Sequence, residues 1–385
     1  MQSRSTLRSA LLLAGAASLT LTACGGGASS DAGSGSAGAG GPITVTATDT
    51  ECTVSANTAP AGKVTFTVTN KGTKINEFYV YAEGDRIVGE VENITPGLSR
   101  DFIVEVSEPG SYETACKPGM VGNGIRSAFT VTGDAPAAKT DDQDLQAAVA
   151  GYSRWVNSQG GAFLTRTTEF VELVKAGKVE EAKALYPVAR SYWERIEPVA
   201  ESFGDLDPKI DGREDVVEEG MAFTGYHRLE KDLWVDGLQK DTSAIADQLL
   251  ADVTELVTKA KSVELNPLQL ANGSKALLDE IATGKITGEE ERYSHTDLWD
   301  FEANFEGSKQ AIAELRPYLT KKDAALVGKI DATGKTLGDL LETYRQGDGF
   351  VLYTDLTEDD VKKLTQALDA FSENVAQVAG VVAKA

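Results

Sequence analysis

Histidine occurs only twice in the 385 residues, at His227 and His295. His227 opens an H-x-x-E pattern with Glu230 in "GYHRLEKDLW", within a stretch of helical periodicity. Residues i and i+3 share a helix face, so imidazole and carboxylate converge on one point. The zinc-peptidase pattern H-E-x-x-H offers two imidazoles and a glutamate base. One imidazole among carboxylates favours a harder, oxygen-rich ion instead. Upstream, "SYWERIEPVAE" repeats the spacing with Glu194 and Glu197, and "LDPKIDGRED" places Asp211 on a loop or helix start. These side chains together would line a groove between two helices. Taken singly, each pair reads first as structural, the glutamates as a solvated face and His227 as a half-buried histidine with a local hydrogen bond. His295, in "YSHTDLWDF", has no evident role beyond packing near Trp299.

A second candidate lies earlier in the chain. Cys52 and Cys116 are most simply a disulfide if the chain works outside the cytoplasm. The alternative is a metal site, because "YETACKPGM" resembles the strand-to-loop segment of a cupredoxin, with Cys116 and Met120. A blue-copper centre needs two histidines beside its cysteine, and both histidines lie past residue 200. Ligands here would be thiolate and carboxylate: Cys52, Cys116 and Glu77 of "INEFYVY", with Glu51 and Met120 as extras. Glu77 is otherwise an exposed strand residue.

Two kinds of element must position these groups. Residues 42–133 alternate apolar with polar in short runs such as "KVTFTVTN" and "RDFIVEV", separated by turn clusters such as "APAG" and "NKGTK". Seven or eight strands predict a small Greek-key sandwich. Residues 134–140 read as a linker. Residues 141–385 show apolar positions at i, i+3, i+4 and i+7, which predicts seven or eight helices in packed bundles. "YHRLEKDLW" and "YSHTDLWDF" share a loose pattern that suggests an internal duplication.

Residues 1–23 have Arg4 and Arg8 before the apolar run "ALLLAGAASLTL", a signal-peptide core too short to span a bilayer comfortably. The run ends in "LTAC", which resembles a bacterial lipobox and implies acylation of Cys24. Residues 24–41 form a Gly/Ser/Ala tether. The expected place is therefore the cell envelope: lipid-anchored on the outer side of the cytoplasmic membrane or periplasmic, with the membrane reached through the lipid alone. A net charge of −22 argues against nucleic acid and anionic membrane surfaces as partners.

The combination of lipobox, "ECTV", "APAGKVTFTVTNKGTKINEFYVY", "SYWERIEPVAESFGDLDPKIDGRED", "AFTGYHRLEKDLW" and "RYSHTDLWDFEANFEGS" resembles the EfeO family of iron-uptake lipoproteins, with a cupredoxin-like domain and an imelysin-like (peptidase-family) domain. The resemblance spans nearly all of the chain after the tether. It implies an H-x-x-E metal site at His227 and Glu230, neighbouring acidic ligands Glu194, Glu197 and Asp211, and a cupredoxin-like site at Cys52, Glu77 and Cys116. It implies iron, Fe(III) or Fe(II), as cargo in the helical domain, copper or iron in the β domain, and zinc as an in vitro substitute. Its implied partners are an EfeU-type membrane permease and an EfeB-type haem peroxidase. The expected function is capture or relay of iron without enzymatic turnover. A metallopeptidase and a cation-bridged polysaccharide-binding protein are the alternatives. The first is poorly served by the histidine count, and no Gly-x-Ser-x-Gly element offers a serine route.

Overall fold

A computed structural model describes residues 41–82, 87–106, 108–133, 140–200, 206–214 and 222–385. Cys24, the apolar leader and all but the last residue of the tether lie outside the described residues, as does most of the linker.

Among the described residues, the β region has nine strands in two facing sheets. One holds β1 (Ile43–Ala47), β2 (Cys52–Val54), β4 (Gly62–Asn70) and β7 (Ser99–Val106) in the order β2-β1-β4-β7. The other holds β3 (Thr58–Pro60), β5 (Asn76–Tyr81), β6 (Ile87–Ile94), β8 (Gly110–Cys116) and β9 (Ile125–Thr132) in the order β3-β9-β8-β5-β6. The β1–β4 and β3–β9 pairs are parallel. Alternation decides what each strand buries. In β4, Val64, Phe66 and Val68 point inward and meet Phe78 and Phe129 of the other sheet. The Phe66 ring centroid lies 5.0 Å from Phe78 and 5.7 Å from Phe129. Burying an aromatic side chain of this kind contributes on the order of 2–3 kcal/mol. Cys52 and Cys116 are joined as a disulfide that ties β2 of one sheet to β8 of the other.

Seven long helices dominate the rest of the described chain: α1 (Gln143–Lys175), α2 (Val179–Glu194), α6 (Thr242–Ala260), α7 (Pro267–Thr283), α8 (Asp297–Lys322), α9 (Ala324–Glu342) and α10 (Glu358–Val375). Short helices α3 (Glu197–Ala200), α4 (Leu206–Asp211), α5 (Gly225–Lys231) and α11 (Val378–Val382) complete the set. A β-hairpin of Arg345–Gln346 and Gly349–Phe350, not apparent in the helical periodicity, separates α9 from α10.

Asp142 starts α1 by accepting the N–H groups of Asp144 and Leu145 at 2.9 and 3.2 Å, which satisfies donors that a helix start leaves free. With 33 residues, α1 runs about 50 Å. Its first half packs Leu145, Tyr152 and Val156 into a core shared with α7, α8 and α10. Its second half packs Phe163, Phe170 and Val174 into a separate core with α2, α5 and α6. Two bundles thus share one long helix.

The β sandwich rests on α7. Asn272 donates to the Ile103 carbonyl at 2.9 Å, and Arg100 pairs with Asp279 at 3.4 Å.

Candidate metal centre

One set of charged residues converges in the interior of the helical region. α2 supplies Arg190 and Glu194, the end of α4 supplies Asp211, and α5 supplies His227 and Glu230. The connection from α7 to α8 supplies Lys285, Glu290 and Glu291. Apart from a small residual exposure of Asp211, Glu290 and His227, all are buried.

Gly225 explains how α5 reaches α4. Its φ is +76°, and a Cβ there would lie 2.2 Å from the Ile210 carbonyl oxygen. Only glycine permits both the left-handed backbone and this close approach. The contact sets His227 beside Asp211, the last residue of α4.

The His227 ring is held from one side. Its Nδ1 lies 3.2 Å from Glu230 Oε2, and Glu230 Oε1 accepts the N–H groups of Tyr293 and Ser294 at 2.9 and 2.7 Å. The "YSHTDLWDF" segment therefore braces the H-x-x-E pair through its backbone. On the other side, His227 Nε2 has no hydrogen-bond partner. It faces Asp211 Oδ1 at 3.5 Å and Glu290 Oε1 at 3.6 Å. Asp211, His227 and Glu290 can converge on one ion, as can His227, Glu230 and Glu291. A buried, unbonded imidazole nitrogen facing two carboxylate oxygens fits a cation with nitrogen and oxygen ligands.

Charge interactions polarise the cluster. Burial and the Arg190 guanidinium oppose protonation of His227, but Glu230, Glu290 and Asp211 outweigh them and raise its pKa to about 10. Burial pushes Glu291 up to about 8 and Asp297 up to about 7. Burial also acts to raise Glu290, yet Arg213, Lys285 and His227 hold it well below the usual carboxylate range. A metal would displace the His227 proton, so binding here releases protons.

Glu194 and Glu197 are buried, not the solvated face that charged pairs usually make. They stand one layer from His227. Lys285 Nζ lies 3.3 Å from Glu194 and 3.8 Å from Glu197, and Asn304 donates to both. Asp211, Glu194 and Glu291 are all ion-paired to Arg190. His295 adopts φ +60°; its N–H donates to the Glu291 carbonyl and its own carbonyl accepts from Tyr353, so its backbone shapes the turn.

Sequence reasoning missed Glu290, Glu291, Arg190 and Lys285. The run "GEEER" resembles a solvated face, and its one available signal was its position just ahead of "YSHTDLW".

The β-domain candidates do not gather. Cys116 lies in the sandwich interior with Phe78, bonded to Cys52, and neither sulfur is a thiolate. Glu77 alternates with Phe78 and takes the outer face, where its Oε2 accepts from Tyr79 Oη at 2.9 Å. It is buried, not an exposed strand residue. Glu51 is exposed in the turn before β2. Among the described residues, no potential metal-binding group contains a cysteine.

Glu77 instead faces the helices. A cleft of about 370 Å³ has Glu77, Glu90 and Glu92 on the β side and Glu197, Asp211 and Glu290 on the helical side, with Met120 at its border. The Asp211–Glu290 side of the cluster therefore opens onto this cleft, whose second wall belongs to the β domain. Burial raises the Glu77 pKa to about 7, against the pull of Lys117 and the Tyr79 hydroxyl.

Helical bundles carrying a buried His–carboxylate centre, preceded by a β sandwich, define the class. Residues 148–378 match the imelysin family (Peptidase_M75), and residues 12–131 match the cupredoxin-like domain. The chain belongs to the imelysin family, in the form that carries an N-terminal cupredoxin-like domain. It is 40% identical over 338 residues to "Iron uptake system component EfeO" of Escherichia coli strain K12, covering 86% of this chain and 89% of that protein. The figures are the same for the proteins of that name from Escherichia coli O157:H7 and Shigella flexneri. Among solved structures, reduced auracyanin from Roseiflexus castenholzii matches over 25% of this chain and 100% of its own, at 18% identity and a TM-score of 0.21, a likeness too slight to bear on function. No helix among the described residues is long and apolar enough to cross a membrane.

Proposed function

We propose that this chain binds iron in the cell envelope, as part of an uptake system, and passes it to a membrane permease. The observation that carries this reading is the unbonded, buried His227 Nε2 facing Asp211 and Glu290 beside an acidic cleft. The printed name of its 40%-identical relatives supports the choice of iron as cargo.

In this reading His227, Asp211 and Glu290 hold the ion, and Glu230 fixes the ring orientation through Nδ1, as carboxylates behind metal-bound histidines do. Glu230 and Glu291 add oxygens if the ion sits on the Nδ1 side. Glu194 and Glu197, both paired with Lys285, complete the acidic surround. The cleft is the route in, and Glu77, Glu90 and Glu92 raise the local cation concentration at its mouth. Lipidation of Cys24 would keep the chain near an EfeU-type permease, with an EfeB-type haem peroxidase as redox partner. The chain is read as a carrier, in keeping with the name of its 40%-identical relatives.

Titration of the full chain with Fe(II) under argon, followed by calorimetry, tests this. Wild type is expected to bind one ion tightly in the helical domain, and His227→Ala to lose at least about tenfold in affinity. Equal affinities in the two proteins would end the assignment.

A further inference from the structure

Arg190 is the unexpected member of the centre. Its side chain is fully buried in α2, and its guanidinium contacts Glu194, Asp211 and Glu291, the last at 2.5 Å. The atoms involved are telling. Asp211 Oδ1 and Glu290 Oε1 are the two oxygens that face His227 Nε2. The same Asp211 Oδ1 is paired with Arg190 Nη1, and the same Glu290 Oε1 lies 3.7 Å from Arg190 Nη2. An ion on His227 Nε2 therefore needs oxygens that a tethered cation already holds.

A second observation shows where that cation can go. Asp300 of α8 is fully buried, and neither of its oxygens has a hydrogen-bond partner. Oδ1 lies 3.7 Å from Arg190 Nε. An unbonded carboxylate at this depth is costly unless a cation approaches it. Different nitrogens address the two carboxylates: Nε faces Asp300 and Nη1 pairs with Asp211.

We propose that Arg190 is a built-in counter-cation that competes with the bound metal for Asp211 and Glu290, and that Asp300 receives it when the ion enters. This rests on the metal-centre reading above. Without an ion, Arg190 holds the carboxylates together and limits their mutual repulsion. With an ion, the guanidinium turns toward Asp300 and Glu291 and gives up the shared oxygens. When the ion leaves, Arg190 returns to them. Arg190 is thus a positioning residue that sets how readily the ion is released, a property a carrier needs as much as affinity.

The test measures Fe(II) affinity and its dissociation rate in the full chain, under argon, by competition with ferrozine in a stopped-flow instrument. Arg190→Gln removes the competing charge and is expected to slow release at least about tenfold and tighten binding. Asp300→Asn removes the alternative seat without touching the ion and is expected to weaken binding and speed release. Thermal melts of the iron-free proteins establish folding. A folded Arg190→Gln protein that releases iron at the wild-type rate or faster overturns the proposal. If that variant does not fold, Asp300→Asn decides, and wild-type affinity and release in it overturn the proposal equally. Failure of wild type itself to bind iron, or intact binding by His227→Ala, would instead sink the metal-centre reading.

Discussion

Replacing Glu230 with Gln probes the centre most directly, because its two oxygens have different partners. Oε1 accepts two backbone N–H groups, from Tyr293 and Ser294, and Oε2 meets His227 Nδ1. A glutamine keeps one oxygen, and two N–H donors hold that oxygen where Oε1 now lies. Its NH2 group must then face His227 and donate to Nδ1. Nδ1 becomes the acceptor, and in the neutral ring the proton moves to Nε2, the atom that would hold the ion. The substitution changes no volume yet puts a proton where the metal should be. Loss of such a supporting carboxylate weakens metal affinity about 10- to 100-fold, or about 1.4–2.7 kcal/mol. Fe(II) titration against ferrozine at pH 7 measures it, with circular dichroism as the folding control. Wild-type affinity in Glu230→Gln would refute the role of Nε2 and the brace behind it.

The Glu77 carboxyl, raised from 4.5 to about 7 by burial, ties stability to pH. A raised folded-state pKa means that its contribution is fully present below the unfolded value and lost as pH rises through the folded one. Wild type should lose up to about 3 kcal/mol between pH 4.5 and pH 8 from this group. Glu77→Gln should then match wild type in urea melts at pH 4.5 and exceed it at pH 8; equal midpoints at pH 8 would count against the buried acid. Removing the disulfide with Cys52→Ser and Cys116→Ser opens a loop of sequence separation 64 and should cost about 4 kcal/mol in urea unfolding on the chain-entropy scale. The same double variant should keep wild-type iron affinity, and a loss would show that the sulfurs serve the site after all.

The two regions were legible because their periodicities, two and 3.6 residues, are local properties of the chain. The His227–Glu230 pair was legible for the same reason, since one helical turn brings it together. Asp211 was placed on a loop or helix start in "LDPKIDGRED", but its approach to His227 depends on Gly225 and could not be read from spacing. Glu194 and Glu197 read as ligands or as a solvated face; they are buried, and their partner Lys285 lies about ninety positions on, where contacts leave no local pattern. Arg190 resembled any cation on an amphipathic helix. The proposed trio of Cys52, Glu77 and Cys116 foundered on strand alternation: Phe78 pairs with Cys116 and shares its face, which sends Glu77 to the other. The parallel β1–β4 and β3–β9 pairings likewise depend on long connections that periodicity does not encode.

That alternation makes one sheet an insulator between two chemistries. Sulfur sits on its inner face, and carboxylates sit on the face that looks at the cleft. Across β5 and β8 the Phe78–Cys116 register joins them by backbone alone, and Lys117, the next residue, donates its N–H to the Glu77 carbonyl at 3.0 Å. The disulfide therefore holds the sandwich together from within while offering the cleft no ligand. The β domain lends the cleft its carboxylates and keeps its sulfur on the other face of the same sheet.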